Sequence, residues 1–76
     1  MAVYFCDFTK QAQEKMKKFG LKNEDIQEIF NKGFTENQTN KFLDKNGFRV
    51  KIYFNYDAYT LRYVILDVFK RPLKIR

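Results

Sequence analysis

Histidine is absent from this chain, and cysteine occurs once, as Cys6. Without histidine, the Ser–His and Cys–His pairs that activate many nucleophiles cannot form, and one thiol cannot build a zinc site. Only three glycines are present, and they do not make a phosphate-binding loop. We therefore expect no catalytic residue, no metal and no cofactor. The enzymatic alternative left open is a metal-independent endoribonuclease that uses Lys, Arg and Tyr.

The same scarcity of cysteine points to a compartment. Cys6 has no partner within the chain for a disulfide, which favours a reducing environment. No apolar run reaches the 18 residues of a membrane span, and the first residues lack the basic and long apolar segments of a secretory signal. We expect a cytoplasmic protein that does not associate with a membrane.

Large side chains are abundant, in contrast. The 76 residues include nine Phe and five Tyr, and 45% are hydrophobic, which is enough for one small core. We expect a single domain over residues 1–76, monomeric or dimeric, with a basic tail from about residue 71. Of the net charge of +6, residues 48–76 carry +5, with seven basic against two acidic residues. Such a surface favours polyanionic or acidic partners.

A first amphipathic helix is predicted to begin after Asp7 or Thr9, either of which can cap it, and to run to about Phe19. Gly20 follows at the position where a helix commonly ends in a left-handed residue. The helix should therefore stop there.

A second helix is predicted to be capped by Asn23 and to end near Gly33. Ile26, Ile29 and Phe30 follow the i, i+3, i+4 spacing of an apolar stripe. Because only a few residues join the two helices, they should form a compact pair whose stripes need a sheet to cover them.

Strands are predicted around and after the helices. Residues 3–5 can form a short strand or an extended arm, residues 34–40 a loop or weak edge strand, and residues 41–43 a short strand. Asn46-Gly47 is a strong hairpin signal. Residues 48–56 alternate between apolar side chains and basic or polar ones, so one face of that strand is core. The predicted fold is α+β, with two N-terminal helices packed on a three- to four-stranded antiparallel sheet.

The register of the last hairpin depends on its turn. A long final strand is predicted over residues 61–70, ended by Pro72. A three- or five-residue connection places Arg49 opposite Asp67 and turns Val64 and Leu66 inward, whereas a two-residue connection turns Asp67 inward. We favour the first arrangement, since it avoids an inward carboxylate.

A basic and aromatic sheet face is the main candidate site. Cations on such a face can hold phosphates, and tyrosines can stack on unpaired bases, as single-stranded RNA requires. The same residue types also occur on ordinary solvated strand faces, where they discourage aggregation. The predicted nucleic-acid-binding residues are Arg49, Lys51, Tyr53, Arg62, Tyr63, Lys70 and Arg71.

Three segments resemble a known family: Phe8-Thr9-Lys10-Gln11-Ala12-Gln13-Glu14-Lys15-Met16-Lys17-Lys18-Phe19-Gly20-Leu21, then Glu24-Asp25-Ile26, then Asn31-Lys32-Gly33. They look like the small uncharacterised domains that open with Thr-Lys-His-Ala-x-x-Arg-Met, which are similar to RelE and ParE toxin folds and, more loosely, to BrnT-type toxins. The resemblance implies a helical pair on a curved antiparallel sheet, and a surface that meets RNA, the ribosome or a protein antagonist. Gln11 stands in place of the family's His and Lys15 in place of its Arg, so a role that needs a titrating imidazole is not carried over.

Three functions follow as expectations. The first is a toxin-like basic module that binds RNA or another nucleic acid without catalysis. The second is a small inhibitor or adaptor, of the kind that mobile elements encode, docking on an acidic protein surface. The third is the endoribonuclease, in which Arg49 or Arg62 would stabilise phosphate charge while Tyr63 or a lysine moved protons.

Overall fold

The structure is a computed structural model, and it describes residues 2–74. The elements in chain order are β1 (Cys6–Phe8), α1 (Lys10–Phe19), α2 (Asn23–Lys32), β2 (Phe34–Asn37), β3 (Asn40–Lys45), β4 (Phe48–Asp57) and β5 (Arg62–Pro72). Each helix has ten residues, and within the described range no helix has the length and apolar character needed to cross a bilayer.

The strands form one sheet in the order β1-β5-β4-β3-β2. The α+β class is as predicted, but the sheet has five strands instead of three or four. One of the five strands is β1, which precedes the helices and pairs with β5 in parallel, with Cys6 opposite Tyr63. The first strand was expected at residues 3–5; it lies three residues later, because its pairing is set by a distant strand and not by a local turn.

The predicted helix α1 is confirmed with its two ends. The Thr9 hydroxyl accepts a hydrogen bond from the backbone N–H of Ala12, as an N-cap does. Gly20 has a φ of 69°, in the left-handed region, and the backbone N–H of Leu21 donates to the carbonyl of Met16. The helix therefore ends in a Schellman-type motif, which satisfies carbonyls that the last turn leaves free.

The N-cap of helix α2 lies one residue earlier than predicted. Lys22, not Asn23, occupies the cap position, and the Asp25 carboxylate accepts a hydrogen bond of 2.7 Å from the backbone N–H of Lys22. Asp25 thus closes the helix start from inside, so the Asn23 side chain is not needed there.

The chain before β1 is held against α2 by two side-chain amides. Gln27 bonds both the N–H and the carbonyl of Tyr4, at 2.8 and 2.6 Å, and Asn31 bonds both backbone groups of Ala2. Each amide satisfies one donor and one acceptor, as a neighbouring strand would. This contact fixes residues 2–5 beside the helix.

Both helices pack on one side of the sheet, called here the inner face. The core contains the buried side chains Ala12, Met16, Ile26, Ile29, Phe30, Ile52, Phe54, Ile65 and Val68. Beside it, Tyr63 packs against the ring of Phe30 with centroids 4.8 Å apart. The predicted apolar stripe of α2 and the centre of the inward face of β4 are confirmed by this list.

The β3–β4 hairpin turns at Asn46 and Gly47 as predicted, with φ of 54° and 80°. Both values are positive, as a type I′ turn requires. Pairing then continues through Lys45 and Phe48, and at the far end of β4 the strand turns again into β5.

The predicted register of β4 and β5 is wrong. Arg49 lies opposite Arg71, and Asp67 lies opposite Tyr53 on the face away from the helices. Four residues, 58–61, connect the strands, and the register shifts between Tyr53 and Phe54 because β5 holds one extra residue, Leu66, in a bulge. Asp67 stays outward, as expected, but by means of the bulge.

The pairing of β5 also extends beyond the predicted strand. Arg71 and Pro72, expected at the start of the tail, are its last residues, and Leu73 donates to the carbonyl of Gly47. Residues 75 and 76 of the predicted tail lie outside the described residues.

The placement of β1 can be tested through Cys6. Burial, the largest cause, raises the pKa of the Cys6 thiol from 9.0 to about 11, more than the Arg62 charge lowers it. Iodoacetamide reacts with the thiolate, and at pH 8 a thiol with a pKa of about 11 forms about a hundredfold less thiolate than one with a pKa of 9.0. The native protein should therefore react about a hundredfold more slowly than the chain in urea. A native rate equal to the denatured one would mean that β1 does not pair with β5.

Candidate nucleic-acid interface

The face of the sheet away from the helices, called here the outer face, is covered by no helix or strand of residues 2–74. One row of side chains crosses it in register. Phe34 of β2 lies opposite Phe42 of β3, Phe42 opposite Lys51 of β4, and Lys51 opposite Phe69 of β5. Aromatic rings therefore lie on both sides of a central ammonium group.

The first aromatic ring on this face is covered by an arginine. The Arg49 guanidinium lies over Phe42, 4.4 Å from the ring centroid. Its Nε and one terminal nitrogen donate to the two carboxylate oxygens of Asp44, at 2.7 and 3.0 Å. This bidentate pair holds the guanidinium in place over the ring, and the hydrogen bond from Arg49 lowers the pKa of the Asp44 carboxyl.

A second set lies on the next rows. The Lys51 ammonium is 5.2 Å from the ring centroid of Tyr53 and forms an ion pair with Glu36 on β2. The hydrogen bond to Glu36 raises the pKa of Lys51, so this group stays protonated well above neutral pH.

The third set joins the outer face to α1. Lys15 lies 4.2 Å from the ring centroid of Phe69, and its ammonium is 3.6 Å from the Asp67 carboxylate. The side-chain amide of Gln11 donates to the same carboxylate at 2.9 Å. Lys15 can reach this face because α1 runs along the edge of β5 beyond β1, where Thr9 bonds the carbonyls of Ile65 and Leu66.

We call these three arrangements the ring–cation–carboxylate sets: Phe42 with Arg49 and Asp44, Tyr53 with Lys51 and Glu36, and Phe69 with Lys15 and Asp67. A groove of about 450 Å³ passes Phe42, Lys51 and Phe69, and Arg71 and Lys74 line it at the end where β5 finishes. None of the ion pairs within residues 2–74 involves Arg71. The face thus combines flat apolar surface with cations of which most are already paired.

Five of the seven predicted site residues lie on this face, and four of the five are close together. Arg49, Lys51 and Tyr53 project from β4, as the alternation of that strand predicted, and Arg71 lies opposite Arg49 on β5. They occupy adjacent rows, so the structure brings them together.

The other three are not part of this group. Tyr63 faces the helices, and its burial raises the pKa of its hydroxyl. Lys70 is also on the inner side, 4.8 Å over the ring of Phe48. Arg62 is on the outer face but nine residues from Arg71 along β5, roughly 30 Å at 3.3 Å per residue. Its Nε bonds both carboxylate oxygens of Asp7 at 3.0 Å.

Sequence reasoning missed the phenylalanines and the lysine from α1. The sequence does not show which side of the short strand containing Phe42 faces inward. The face on which Phe69 lies depends on the bulge at Leu66. The available signal was the alternation of Phe42 with Asp44, which puts both on one face of β3. Nothing local indicated that Lys15 would reach Phe69.

The pair between Arg49 and Asp44 gives a measurable titration. Because the folded pKa of Asp44 is below its ordinary 3.8, the stabilisation from this pair is complete above that pH and is lost as the pH falls through the folded pKa. An NMR titration should find the pKa of Asp44 below 3.8 and show it rising toward that value in Arg49→Gln. An unchanged pKa in the variant would show that Arg49 does not bind Asp44.

No family model, no curated protein and no solved structure matches this chain. The resemblance to RelE and ParE toxin folds therefore stays a prediction, and the function proposed below is based on the geometry of the outer face.

Proposed function

We propose that this chain binds single-stranded RNA on the outer face of its sheet and does not cleave it. The observation that carries the proposal is the set of three ring–cation–carboxylate arrangements in adjacent rows of an uncovered sheet face. Rings offer stacking surface to any base, and cations offer contacts to the phosphates between the bases. This proposal keeps the first of the three functions predicted from the sequence, a basic module that binds nucleic acid without catalysis.

The spacing of the rings favours bases that are not stacked on each other. Phe42 and Phe69 lie two strands apart, roughly 10 Å at 4.8 Å per strand, whereas bases stacked in a strand are about 3.4 Å apart. Two neighbouring bases can occupy these rings only when they are splayed, with the linking phosphate near Lys51. A duplex cannot splay its bases, so the preferred ligand is single-stranded.

Binding would proceed by exchange of anions. In the free protein Asp44, Glu36 and Asp67 hold the cations over or beside the rings. Phosphates are stronger anionic partners for arginine in particular, because their geometry suits its bidentate donors. A guanidinium or ammonium that turns toward a phosphate leaves the ring beneath it open to a base.

The ribonuclease alternative has less support. It required Tyr63 or a lysine as the proton carrier beside Arg49 or Arg62. Tyr63 lies on the inner face. The hydrogen bond to Glu36 raises the pKa of Lys51, so Lys51 is protonated and cannot act as a general base near neutral pH.

The adaptor alternative is supported by one observation, the edge strand β2. All four of its residues are exposed, and it is the last strand on its side of the sheet. An extended segment of a protein partner could add to this edge by backbone hydrogen bonds. Such a partner would bind tightly while RNA did not bind at all.

RNA binding can be tested with Arg71→Gln, which removes an exposed cation at the end of the groove. Fluorescence anisotropy of a labelled single-stranded RNA should show saturable binding that weakens with salt. The variant should bind several-fold more weakly, with a salt slope smaller by about 0.7, the value for one lost phosphate contact on a single strand.

The matched control is Lys17→Gln, which removes the same charge from the last turn of α1. It should bind nearly as well as the natural chain, and a gel should show the RNA intact. No binding even at low salt would refute the proposal, and equal losses in the two variants would reduce it to general charge attraction.

Exchange of anions makes a second prediction. Glu36→Gln removes the carboxylate that holds Lys51, so RNA affinity should rise several-fold and the salt slope should grow by about 0.7. The control Glu24→Gln changes net charge equally, from an exposed position in the first turn of α2. The same gain in both variants would mean that Glu36 does not compete with phosphate.

A further inference from the structure

The turn between β4 and β5 contains a residue that is unusual both in its backbone conformation and in its exposure. Leu61 has a φ of 57°, in the left-handed region, and 66% of its surface is exposed. The other non-glycine residue with positive φ in the described chain is Asn46, a type that tolerates this conformation. Leucine does not tolerate it well, and an exposed leucine gains nothing from burial in the monomer.

Other exposed apolar side chains lie at the same end of the sheet as Leu61. Tyr59 is 101% exposed, and Phe5 and Val3 are 62% and 73% exposed. The parallel pairing of Cys6 with Tyr63, together with the bond from the N–H of Tyr63 to the carbonyl of Phe5, brings the arm before β1 alongside this turn. We call Val3, Phe5, Tyr59 and Leu61 the end patch.

We propose that the end patch is a dimer interface, in which a second copy of this chain packs its own end patch around a two-fold axis. The four side chains expose on the order of 500 Å², since a large side chain carries roughly 150 to 250 Å². That is near the upper size of apolar patches on monomers, and with flanking backbone and polar atoms it approaches the roughly 800 Å² that each partner buries in a stable complex.

Charge favours a second copy at this end in particular. The chain carries +6, and two copies repel each other over most of their surface. Beside the end patch the charges are mixed: Arg62 pairs with Asp7, and Asp57 bonds the backbone of Tyr59. Asp7 and Asp57 offset the charge of Arg62, so this end of the molecule carries less of the positive charge that makes two copies repel each other.

The end patch is far from the groove on the outer face where RNA binding is proposed. Arg49 and Arg71 lie at the opposite end of β4 and β5 from the end patch, in a molecule 46 Å long. The dimer therefore stands whether or not the outer face binds RNA.

The test is sedimentation equilibrium from about 1 μM to about 1 mM, a range that spans weak dimers. The natural chain should form a concentration-dependent dimer. Leu61→Asn should weaken it by about a hundredfold, because each dimer loses two buried leucines. Asparagine suits a positive φ, so thermal unfolding of the isolated variant should occur at the same or a higher temperature, which separates lost association from lost folding.

Two further variants keep the result unambiguous. Tyr59→Ser should weaken the dimer in the same direction, while Leu66→Asn, the same change at the bulge in mid-strand, should leave it intact. A natural chain that stays monomeric over the whole range would overturn the proposal and leave the end patch to a different protein. A dimer that survives both Leu61→Asn and Tyr59→Ser would equally overturn it.

Discussion

The extra residue in β5 determines which side chains face the helices and which face solvent. Before Leu66, Tyr63 and Ile65 point inward; after it, Val68 does. A strand of strict alternation would put Ile65 and Val68 on opposite faces, and one of them would leave the core. The bulge lets both contribute to a small core and at the same time turns Asp67 and Phe69 outward.

The ring–cation–carboxylate sets depend on that shift. Asp67 and Phe69 face outward next to α1, so Lys15 can reach both. On β4 and β3 the rings and cations of the other two sets follow from simple alternation and the hairpin at Asn46 and Gly47, whereas Glu36 lies at a register shift in β2. The outer face is therefore built partly by local pattern and partly by irregularities in β5 and β2, and carboxylates hold its cations in place in the absence of a ligand.

The features that could be predicted from sequence were those with a local cause. The caps of α1, the left-handed residue Gly20 and the hairpin turn each depend on a few neighbouring residues, and each is present. The parallel pairing of β1 joins residues more than 50 positions apart, and the bulge in β5 depends on how the paired strands pack against the helices, so neither has a local signal in the sequence. For the same reason the candidate site was predicted on β4 and misplaced on β5, at Tyr63 and Lys70.

The position of β5 between β1 and β4 has a consequence for synthesis of the chain. Strand β1 is made more than 50 residues before its partner β5, since Cys6 pairs with Tyr63, and the core also needs Ile65 and Val68. A nascent chain that ends before β5 has both helices and strands β2 to β4, but it lacks the strand on which α1 packs. The apolar stripe of α1 is exposed until β5 arrives, so the core closes late and the incomplete chain is the form in greatest need of a chaperone.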